Sequence, residues 1–390
     1  MDKTIENNFN GLGIAPNLLE KLYRSGFTTP TPIQHKTIPA TIEGKDVIGI
    51  AQTGTGKTLA FGVPMIQRIL HSNNAKGLII LPTRELAVQV DETIRKMGHD
   101  FGIKTAVLIG GSSSYHQVNS LRNNPHIVIG TPGRINDLIM QKKLHLNSVE
   151  ILVLDEADRM FDMGFAPQIK KILQHIPQDH QTMLFSATMP ESIAKIASQY
   201  MRLPVRIEIA KQGTTSKNIE QEIFIVDKNK KISLLKNLLS EYTGSVLVFI
   251  RVKHNAKKIC RTLKDSGISA AEIHSNRSLN QRRDALEGFK LGRYRVLVAT
   301  DIASRGIDVK SIEMVANYDL PENPEDYVHR IGRTGRAGKQ GKAISFATPD
   351  QGGKVKEIER LIRLSIPVSK LPENLPETAP TTRTQNRRRF

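Results

Sequence analysis

Short apolar segments alternate with longer amphipathic segments along most of the chain. In the first half, runs rich in Val and Ile predict strands at Val47–Ala51, Leu78–Pro82, Thr105–Ile109, Ile127–Gly130, Ile151–Asp155 and Met183–Ser186. Helical periodicity lies between most of these runs, for example over Leu86–Met97 and Ala166–His175. Strands that are apolar throughout and alternate with helices are typical of a parallel sheet that is covered on both faces.

The second half repeats this plan, with predicted strands at Glu222–Val226, Val246–Ile250, Ala271–Ile273, Val296–Ala299, Met314–Asn317 and Ala343–Phe346. A chain of 390 residues suits two domains. We therefore predict an α/β protein with two doubly wound parallel sheets, in domains at 1–209 and 219–366. The small, polar residues 210–218 predict a flexible linker. Residues 367–390 contain prolines and end in Arg387-Arg388-Arg389-Phe390, which predicts a disordered basic tail.

Charge and composition narrow the class of partner. The net charge of +18 favours a polyanion, most often nucleic acid, although a basic protein without such a partner is the alternative. Aromatic residues make up only 5% and Trp is absent, which argues against a protein that stacks bases on aromatic side chains. If the partner is a nucleic acid, we expect the protein to contact its backbone. The single Cys260, which we read as a packed residue, and the lack of a long apolar run or signal peptide predict a cytoplasmic protein without a membrane segment. We expect a monomer.

A glycine-containing segment, Ala51–Thr58, follows the first predicted strand and precedes a helical pattern. Glycines let backbone N–H groups turn toward a phosphate, and the start of a helix adds positive partial charge. Lys57 can reach the β- and γ-phosphates, and the Thr58 hydroxyl can ligate Mg²⁺. The pattern departs from the usual one at Ala51, where glycine is expected. The segment predicts an ATP site formed by Thr53, Gly54, Thr55, Gly56, Lys57 and Thr58.

An acidic segment, Asp155-Glu156-Ala157-Asp158, ends another apolar strand. The carboxyl ends of strands are where doubly wound sheets bind ligands. Asp155 is predicted to hold Mg²⁺ through water, and Glu156 to orient or deprotonate the attacking water. A solvated acidic turn is the alternative, and the phosphate-binding segment in the same domain weighs against it.

The sequence of residues 155–158, together with the order of motifs from about Phe9 to Pro367, resembles the DEAD-box RNA helicases. The resemblance implies two tandem RecA-like domains that bind ATP and an RNA backbone between them and locally unwind short duplexes. In the family, one Gln reads the adenine edge and one Phe stacks on its ring; these match Gln34 and Phe27. A proline-rich turn and core packing are the alternatives for this segment.

The resemblance also assigns residues that link the nucleotide to RNA. Ser186, Thr188, Asp158 and His329 match the positions that couple the two sites. Arg333 and Arg336 match the arginine fingers, for which a solvated basic loop is the alternative. Asp308 matches the residue that contacts the ATP ribose.

Several predicted loops match the RNA contacts of the family. The matching residues are Thr83, Arg84, Gly111, Thr131, Gly133, Arg134, Arg282 and Thr300. Hydroxyls, exposed N–H groups and guanidinium groups suit phosphate oxygens and 2′-hydroxyls. Residues 131–134 also fit a plain turn. Leu279 stands where the family has Gln, which puts the local hydrogen-bond network in question. The overall organisation, with a short basic tail and no large extensions, is most similar to the bacterial RhlE-like branch.

Other functions share parts of this pattern. An ATP-gated RNA clamp that rarely unwinds would use the same motifs, and a DNA helicase would use the same motor. A small-molecule P-loop kinase is a further alternative, but it would not account for the second domain and its arginine motif. We expect ATP and RNA both to favour a closed state, so that each helps the other to bind.

Overall fold

The computed structural model describes residues 8–52, 54–72, 74–209, 218–301, 312–335, 340–373 and 375–376. These residues fall into two compact units, one over residues 8–209 and one over residues 218–376. Most of the predicted linker, at 210–217, and the end of the predicted tail, at 377–390, lie outside the described residues.

The first unit begins with two helices before its first strand. Its strands are β1 (Val47–Ile50), β2 (Lys76–Ile80), β3 (Thr105–Leu108), β4 (Ile127–Gly130), β5 (Val149–Leu154), β6 (Gln181–Ser186) and β7 (Val205–Glu208). Its helices are α1 (Pro16–Arg24), α2 (Pro32–Ile42), α3 (Lys57–His71), α4 (Arg84–Gly98), α5 (Ser114–Arg122), α6 (Pro132–Met140), α7 (Ala157–Asp162), α8 (Ala166–Leu173) and α9 (Glu191–Tyr200). A short 3₁₀ turn, His99–Phe101, follows α4.

The strands of the first unit form one sheet in the order β3-β4-β2-β5-β6-β1-β7, and every neighbouring pair is parallel. The residues of β1, β4 and β6 are buried throughout, because helices cover both faces. The six strands predicted from apolar runs are present. Strand β7 was missed because its alternating sequence buries only Ile207.

The second unit has the same plan. Its strands are β8 (Ile219–Ile225), β9 (Val246–Ile250), β10 (Ala270–Ile273), β11 (Val296–Thr300), β12 (Met314–Asn317), β13 (Gly341–Ala347) and β14 (Val368–Ser369). Its described helices are α10 (Lys231–Glu241), α11 (Lys253–Asp265), α12 (Leu279–Lys290), α13 (Pro324–Ile331) and α14 (Gly352–Ile362), with a 3₁₀ turn at Pro349–Gln351. The sheet order is β10-β11-β9-β12-β13-β8-β14, again with parallel neighbours.

The sheet of the second unit ends in a strand that the sequence did not predict. Val368 and Ser369 pair with β8, and the Ser233 hydroxyl donates a hydrogen bond to the Pro376 carbonyl at 2.7 Å. Leu375 packs against the core of this unit. The prediction that the chain is disordered from residue 367 is therefore wrong for this segment. The sequence gives little indication of strand β14, because the strand has only two residues and Val368 is exposed.

Arg330 of α13 fixes the strand ends of the second unit. Its Nε and Nη2 donate to the two carboxylate oxygens of Asp301 at 2.6 and 2.7 Å, immediately after β11. Its Nη1 donates to the Asp319 carbonyl at 2.6 Å and to the Asn317 amide oxygen at 3.2 Å. The guanidinium also lies 5.1 Å from the centre of the Phe249 ring. A buried arginine thus holds β9, β11 and β12 in register at their carboxyl ends.

Arg330→Lys is expected to destabilise the second unit by about 2–4 kcal/mol, because a lysine cannot make the two parallel bonds to Asp301 and leaves neighbouring acceptors unsatisfied. Urea unfolding of the full chain would measure the change. Arg261→Lys is the matched control, since its pair with Asp265 is long, at 3.9 Å, and exposed, and such pairs contribute about 0–1 kcal/mol. Equal unfolding midpoints for the two variants would contradict the role of Arg330.

Candidate nucleotide and nucleic-acid site

The phosphate-binding segment needs glycine at the start of α3. Gly54 and Gly56 have φ angles of +81° and +88°, in the left-handed region that favours glycine. A Cβ atom on Gly56 would lie only 2.3 Å from the Gln34 amide nitrogen. The loop therefore closes directly into the first turn of α3, where the N–H groups of Leu59 and Ala60 donate to the Gly56 carbonyl at 3.2 and 3.4 Å. The start of a helix carries positive partial charge and suits an anion.

Lys57, the first residue of α3, is buried with its ammonium group turned toward the strand ends. Its Nζ donates to the Ala51 carbonyl at 3.1 Å and lies 3.8 Å from Asp155 Oδ1. The Thr55 hydroxyl donates to the Gln52 carbonyl at 2.7 Å, which tightens the loop. Thr58 follows in the first turn of the helix, while Thr53 lies outside the described residues.

Gln34 of α2 connects the preceding segment to this loop. Its amide oxygen accepts from the Thr31 N–H at 2.9 Å, and its amide nitrogen donates to the Gly56 carbonyl at 2.9 Å. The resemblance predicted an adenine contact and did not predict this contact with the phosphate loop. Phe27 is half-buried, with Lys96 Nζ 5.5 Å from its ring centre, whereas Phe9 is a core residue.

The acidic segment begins where β5 ends. Asp155 N donates to the Ile80 carbonyl at 3.1 Å, and Glu156 N donates to the Asp155 carboxylate at 2.9 Å. Burial raises the pKa of the Asp155 carboxyl to about 6, although the charge of Lys57 acts in the opposite direction. The Asp155 carboxylate and Thr58 hydroxyl are oxygen donors of the kind Mg²⁺ prefers, and the Lys57 ammonium suits a phosphate. The residues present therefore fit ATP with Mg²⁺.

Glu156 immediately precedes α7, at its N-cap position, and has an unusual backbone conformation. Its φ of +53° lies in the left-handed region, which costs a non-glycine residue about 1–3 kcal/mol. Arg159 Nη1 lies 3.4 Å from Glu156 Oε2, and both side chains are buried. Sequence reasoning missed Arg159. Its spacing of three residues from Glu156 on a helix was the available signal.

Asp158 joins α7 to the end of β6. Its Oδ2 accepts from the N–H groups of Ala187 and Thr188 at 3.0 and 2.9 Å, and from the Thr188 hydroxyl at 3.1 Å. In return, the Asp158 N–H donates to the Ser186 hydroxyl at 3.1 Å. The structure thus brings together three of the four residues predicted to couple the sites.

The predicted nucleic-acid contacts of the first unit follow β2, β3 and β4. Thr83 caps α4 by accepting from the Leu86 N–H at 3.3 Å. The next residue, Arg84, lays its guanidinium against Gly110 and Gly111. A Cβ on Gly111 would lie 2.2 Å from Arg84 Nη1, and the φ of Gly111 is +71°. This glycine is therefore required for the approach of Arg84.

Thr131, Gly133 and Arg134 form the beginning of α6. Thr131 N donates to the Leu108 carbonyl at 3.0 Å, which anchors this loop to the neighbouring strand. Arg134 Nε donates to the Gln117 side-chain oxygen at 3.1 Å, and its Nη2 to the Ser114 hydroxyl at 2.7 Å. Gln117 was not predicted. It is a buried amide that positions Arg134.

The sheet order separates the two groups of predicted residues. Strands β3, β4 and β2 carry the nucleic-acid candidates at the carboxyl edge of the sheet. Strands β5 and β1 carry the nucleotide candidates at the same edge, and β6 between them carries the coupling candidates Ser186 and Thr188. The groups meet where β2 pairs with β5. One edge of the first unit therefore presents both groups of candidate residues side by side.

The second unit places its candidates at the same kind of edge. Thr300 ends β11, and Arg282 lies on α12, which packs against β10 and β11. His329 and Arg333 are buried at the end of α13, where Arg333 N donates to the Arg330 carbonyl at 3.1 Å. Asp308 and Arg336 lie outside the described residues.

Leu279 does not prevent α12 from starting normally. Ser278 Oγ accepts from the Gln281 N–H at 3.2 Å, and the Gln281 side-chain oxygen accepts from the Ser278 N–H at 3.1 Å. This capping box supplies hydrogen bonds at the helix start without a Gln at position 279.

Two family descriptions match the chain. Residues 31–196 match the DEAD/DEAH box helicases, and residues 230–338 match the helicase conserved C-terminal domain. The chain is 45% identical over 354 residues to the DEAD-box ATP-dependent RNA helicase CshA of Bacillus cereus, covering 90% of this chain and 67% of the relative. It is 46% identical over 353 residues to the ATP-dependent RNA helicase CshA of Listeria monocytogenes, covering 90% and 68%. The chain thus spans about two thirds of these relatives.

Two solved structures are similar over most of the chain. One is Saccharomyces cerevisiae Dbp5 bound to RNA and ADP BeF3, with a TM-score of 0.83, 31% identity and coverage of 93% of this chain and 95% of that chain. The other is the DEAD-box helicase Mss116 bound to ssRNA and UDP-BeF, with a TM-score of 0.85, 27% identity and coverage of 93% and 79%. Among the described residues, no helix has the length and apolarity needed to cross a membrane.

Gly111→Ala is expected to weaken RNA binding by about tenfold, because the added Cβ displaces Arg84 from its position. Binding of labelled single-stranded RNA would measure the loss, and nucleotide affinity should stay within about twofold. Gly102→Ala is the matched control, since Gly102 also has a positive φ, of +73°, but its Cβ would meet nothing within 4 Å. An equal loss in both variants would mean that backbone strain alone, and not Arg84, is responsible.

The raised pKa of Asp155 predicts a pH-dependent requirement for Mg²⁺. As pH falls through about 6, the carboxyl takes up a proton and loses the charge that attracts the cation. The Mg²⁺ concentration for half-maximal ATP hydrolysis is therefore expected to rise between about pH 7.5 and about pH 5.5. Titration at each pH, corrected for Mg²⁺ bound to free ATP, would measure this shift. A constant corrected value would exclude Asp155 as a titrating Mg²⁺ contact.

Proposed function

Because the chain belongs to the DEAD-box family of ATP-dependent RNA helicases, we propose that the carboxyl edge of its first sheet binds ATP over β5, β6 and β1 and RNA over β2, β4 and β3. The chain is an RNA-stimulated ATPase that unwinds or remodels RNA locally. The observation that carries the division of the edge is the strand order, which gathers the phosphate-binding and acidic segments on one side and the hydroxyl- and guanidinium-bearing loops on the other.

On the nucleotide side, backbone N–H groups of residues 54–58 cradle the phosphates and Lys57 neutralises their charge. Thr58 and Asp155 would hold Mg²⁺, which would supply Lewis-acid stabilisation of the transferring phosphoryl group when bound. Phe27 and Gln34 are assigned to the adenine. The Gln34 side chain also donates to the Gly56 carbonyl in the phosphate loop. When Gln34 binds adenine, the position of this loop therefore changes with the position of the Gln34 side chain.

Glu156 is the residue that we assign to the attacking water. The left-handed backbone at this residue supports a functional role, because such strain persists where the surroundings enforce a particular side-chain position. Arg159 beside its carboxylate restricts its orientation. Arg333 and Arg336 are assigned to the charge that develops on the γ-phosphate, and Asp308 to the ribose.

Coupling between hydrolysis and RNA is assigned to Asp158. A shift of α7 on hydrolysis would be felt at Ser186 and Thr188, because one carboxylate oxygen holds both N–H groups at the end of β6 and the Thr188 hydroxyl. His329 completes the predicted set in the second unit.

RNA is the nucleic acid that the contacts favour. Thr83, Thr131 and Thr300 offer hydroxyls, and Arg84 and Arg134 offer guanidinium groups, which suit phosphates and 2′-hydroxyls without reading sequence. The RNA and nucleotide analogues held by Dbp5 and Mss116 support this assignment. Mg²⁺ as the metal, the cytoplasm as the location and the RhlE-like branch stay predictions, and the curated relatives quoted above carry the name CshA.

ATP hydrolysis measured with single-stranded RNA, with a DNA strand of the same sequence and without nucleic acid tests the assignment. We expect RNA to raise the rate at least about tenfold over the unstimulated rate, with little effect of DNA. Glu156→Gln should lower the stimulated rate by about 10²–10⁴, because the amide cannot accept a proton from water.

Equal stimulation by DNA would overturn the choice of RNA while leaving the ATPase assignment intact. Strand displacement of a short RNA duplex by the same preparation separates a helicase from an ATP-gated clamp. The clamp hydrolyses ATP with RNA but releases no strand.

A further inference from the structure

Helix α11 carries a dense group of positive charges on one face, which we call the basic face. It consists of Lys253, Lys257, Lys258, Arg261 and Lys264. At 3.6 residues per turn these five side chains fall within an arc of about 140°. The other side of the helix packs into the core through Ala256, Ile259, Cys260 and Leu263. Because the apolar face of the helix is buried in the core, the basic face points toward solvent.

The charges of the basic face are barely compensated. Asp265 is the one acidic residue of α11, and it lies 3.9 Å from Arg261 in an exposed pair that contributes little. Over the part of the second unit that the structure describes, the four lysines form no ion pair. Uncompensated like charges on neighbouring turns repel one another, which costs stability that an anionic ligand would restore.

The basic face begins at the edge that carries the RNA candidates of this unit. Lys253 follows β9 by three residues, and β9 is the direct neighbour of β11, which ends at Thr300. From Lys253 the face runs along the outside of the sheet for about 16 Å, at 1.5 Å per residue. An RNA strand that leaves the edge near Thr300 would meet Lys253 first.

The spacing of these residues suits a repeating anion. Lys253, Lys257 and Arg261 are four residues apart, so each step rises about 6 Å along the helix. Evenly spaced cations can neutralise successive phosphates of one strand, and lysine does so as a point charge that reads no base. The remaining exposed residues of this helix are His254, Asn255 and Thr262 or charged residues, without an apolar anchor for a protein or a lipid surface.

We propose that the basic face of α11 is a second phosphate-binding surface, which holds RNA that continues past the carboxyl edge of the second unit. It rests on the proposed function, because RNA must first occupy that edge. The surface adds affinity for long RNA and contributes nothing to a short RNA that is confined to the edge.

The test compares two fourfold variants of the full chain with equal changes in net charge. One carries Lys253→Gln, Lys257→Gln, Lys258→Gln and Lys264→Gln. The matched control carries Lys142→Gln, Lys143→Gln, Lys170→Gln and Lys171→Gln, at exposed positions of the first unit. A third variant with arginine at the four α11 positions keeps the charge. Affinity is measured over a series of salt concentrations for RNA strands of about 8 and about 30 nucleotides.

The α11 glutamine variant should bind the long strand about tenfold more weakly at low salt, with a salt dependence flatter by about 2–3 in the slope of log K against log salt. Its affinity for the short strand, its ATPase rate with that strand and its urea midpoint should match the parent. The control and the arginine variant should keep the affinity for the long strand. A duplex with a single-stranded overhang of the same total length shows whether the surface holds the flanking strand or the duplex, and a loss on either supports the proposal.

Equal losses in the α11 variant and the control would overturn the proposal, because net charge alone would then explain them. Unchanged affinity for both lengths would also overturn it and would leave an acidic protein as the better partner for this face. A parent that shows no stimulation of hydrolysis by either RNA contradicts the proposed function itself, and the two failures are therefore distinguishable.

Discussion

The parallel pairing of buried strands is the constraint on which both units depend. A strand that is covered on both faces is mostly apolar, and a polar side chain within it needs a partner there, as Gln181 of β6 finds in the Thr41 and Lys45 carbonyls. Most of the polar chemistry is therefore carried by the residues just beyond the strand ends. Strand β5 shows this directly, because Leu152, Val153 and Leu154 are fully enclosed and Asp155 follows at once. Parallel neighbours then bring all of these end positions to one edge.

Buried charges placed at that edge act as fixed connections between elements. Asp158 satisfies its carboxylate with donors from the end of β6, and Arg330 satisfies its guanidinium with acceptors from the ends of β11 and β12. Removing one partner of such a group leaves a charge without compensation, which is costly in a low-dielectric interior. The Asp158 carboxylate and the Arg330 guanidinium therefore each favour one geometry, which fixes the elements that they join relative to one another.

Much of the fold could be predicted because its signal is local. Runs such as Val246–Ile250 and Ile127–Gly130 are apolar, β-branched and bounded by turns, and they form strands with the predicted limits. Strands β7 and β14 were not predicted, because these short edge strands bury few side chains and therefore have little apolar sequence.

The site divides in the same way. Lys57, Asp155 and Asp158 could be predicted as site residues because each belongs to a short sequence motif with a fixed spacing. The partners Arg159 and Gln117 could not be found from a motif, because their roles depend on contacts that exist only after the chain has folded. The contact between Gln34 and Gly56 belongs to the same class.

The loops at the edge are also fixed by backbone hydrogen bonds that extend past the strands. Ala51 N donates to the Ser186 carbonyl, Thr131 N to the Leu108 carbonyl and Asp155 N to the Ile80 carbonyl, at 2.9 to 3.1 Å. In these three loops the first residue past the strand is thus anchored by the same kind of hydrogen bond as the strand before it. The loops of the first unit that we assign to the nucleotide and to RNA are therefore anchored to the same sheet edge. Above these anchored positions, Asp158 adds a side-chain connection between α7 and the end of β6.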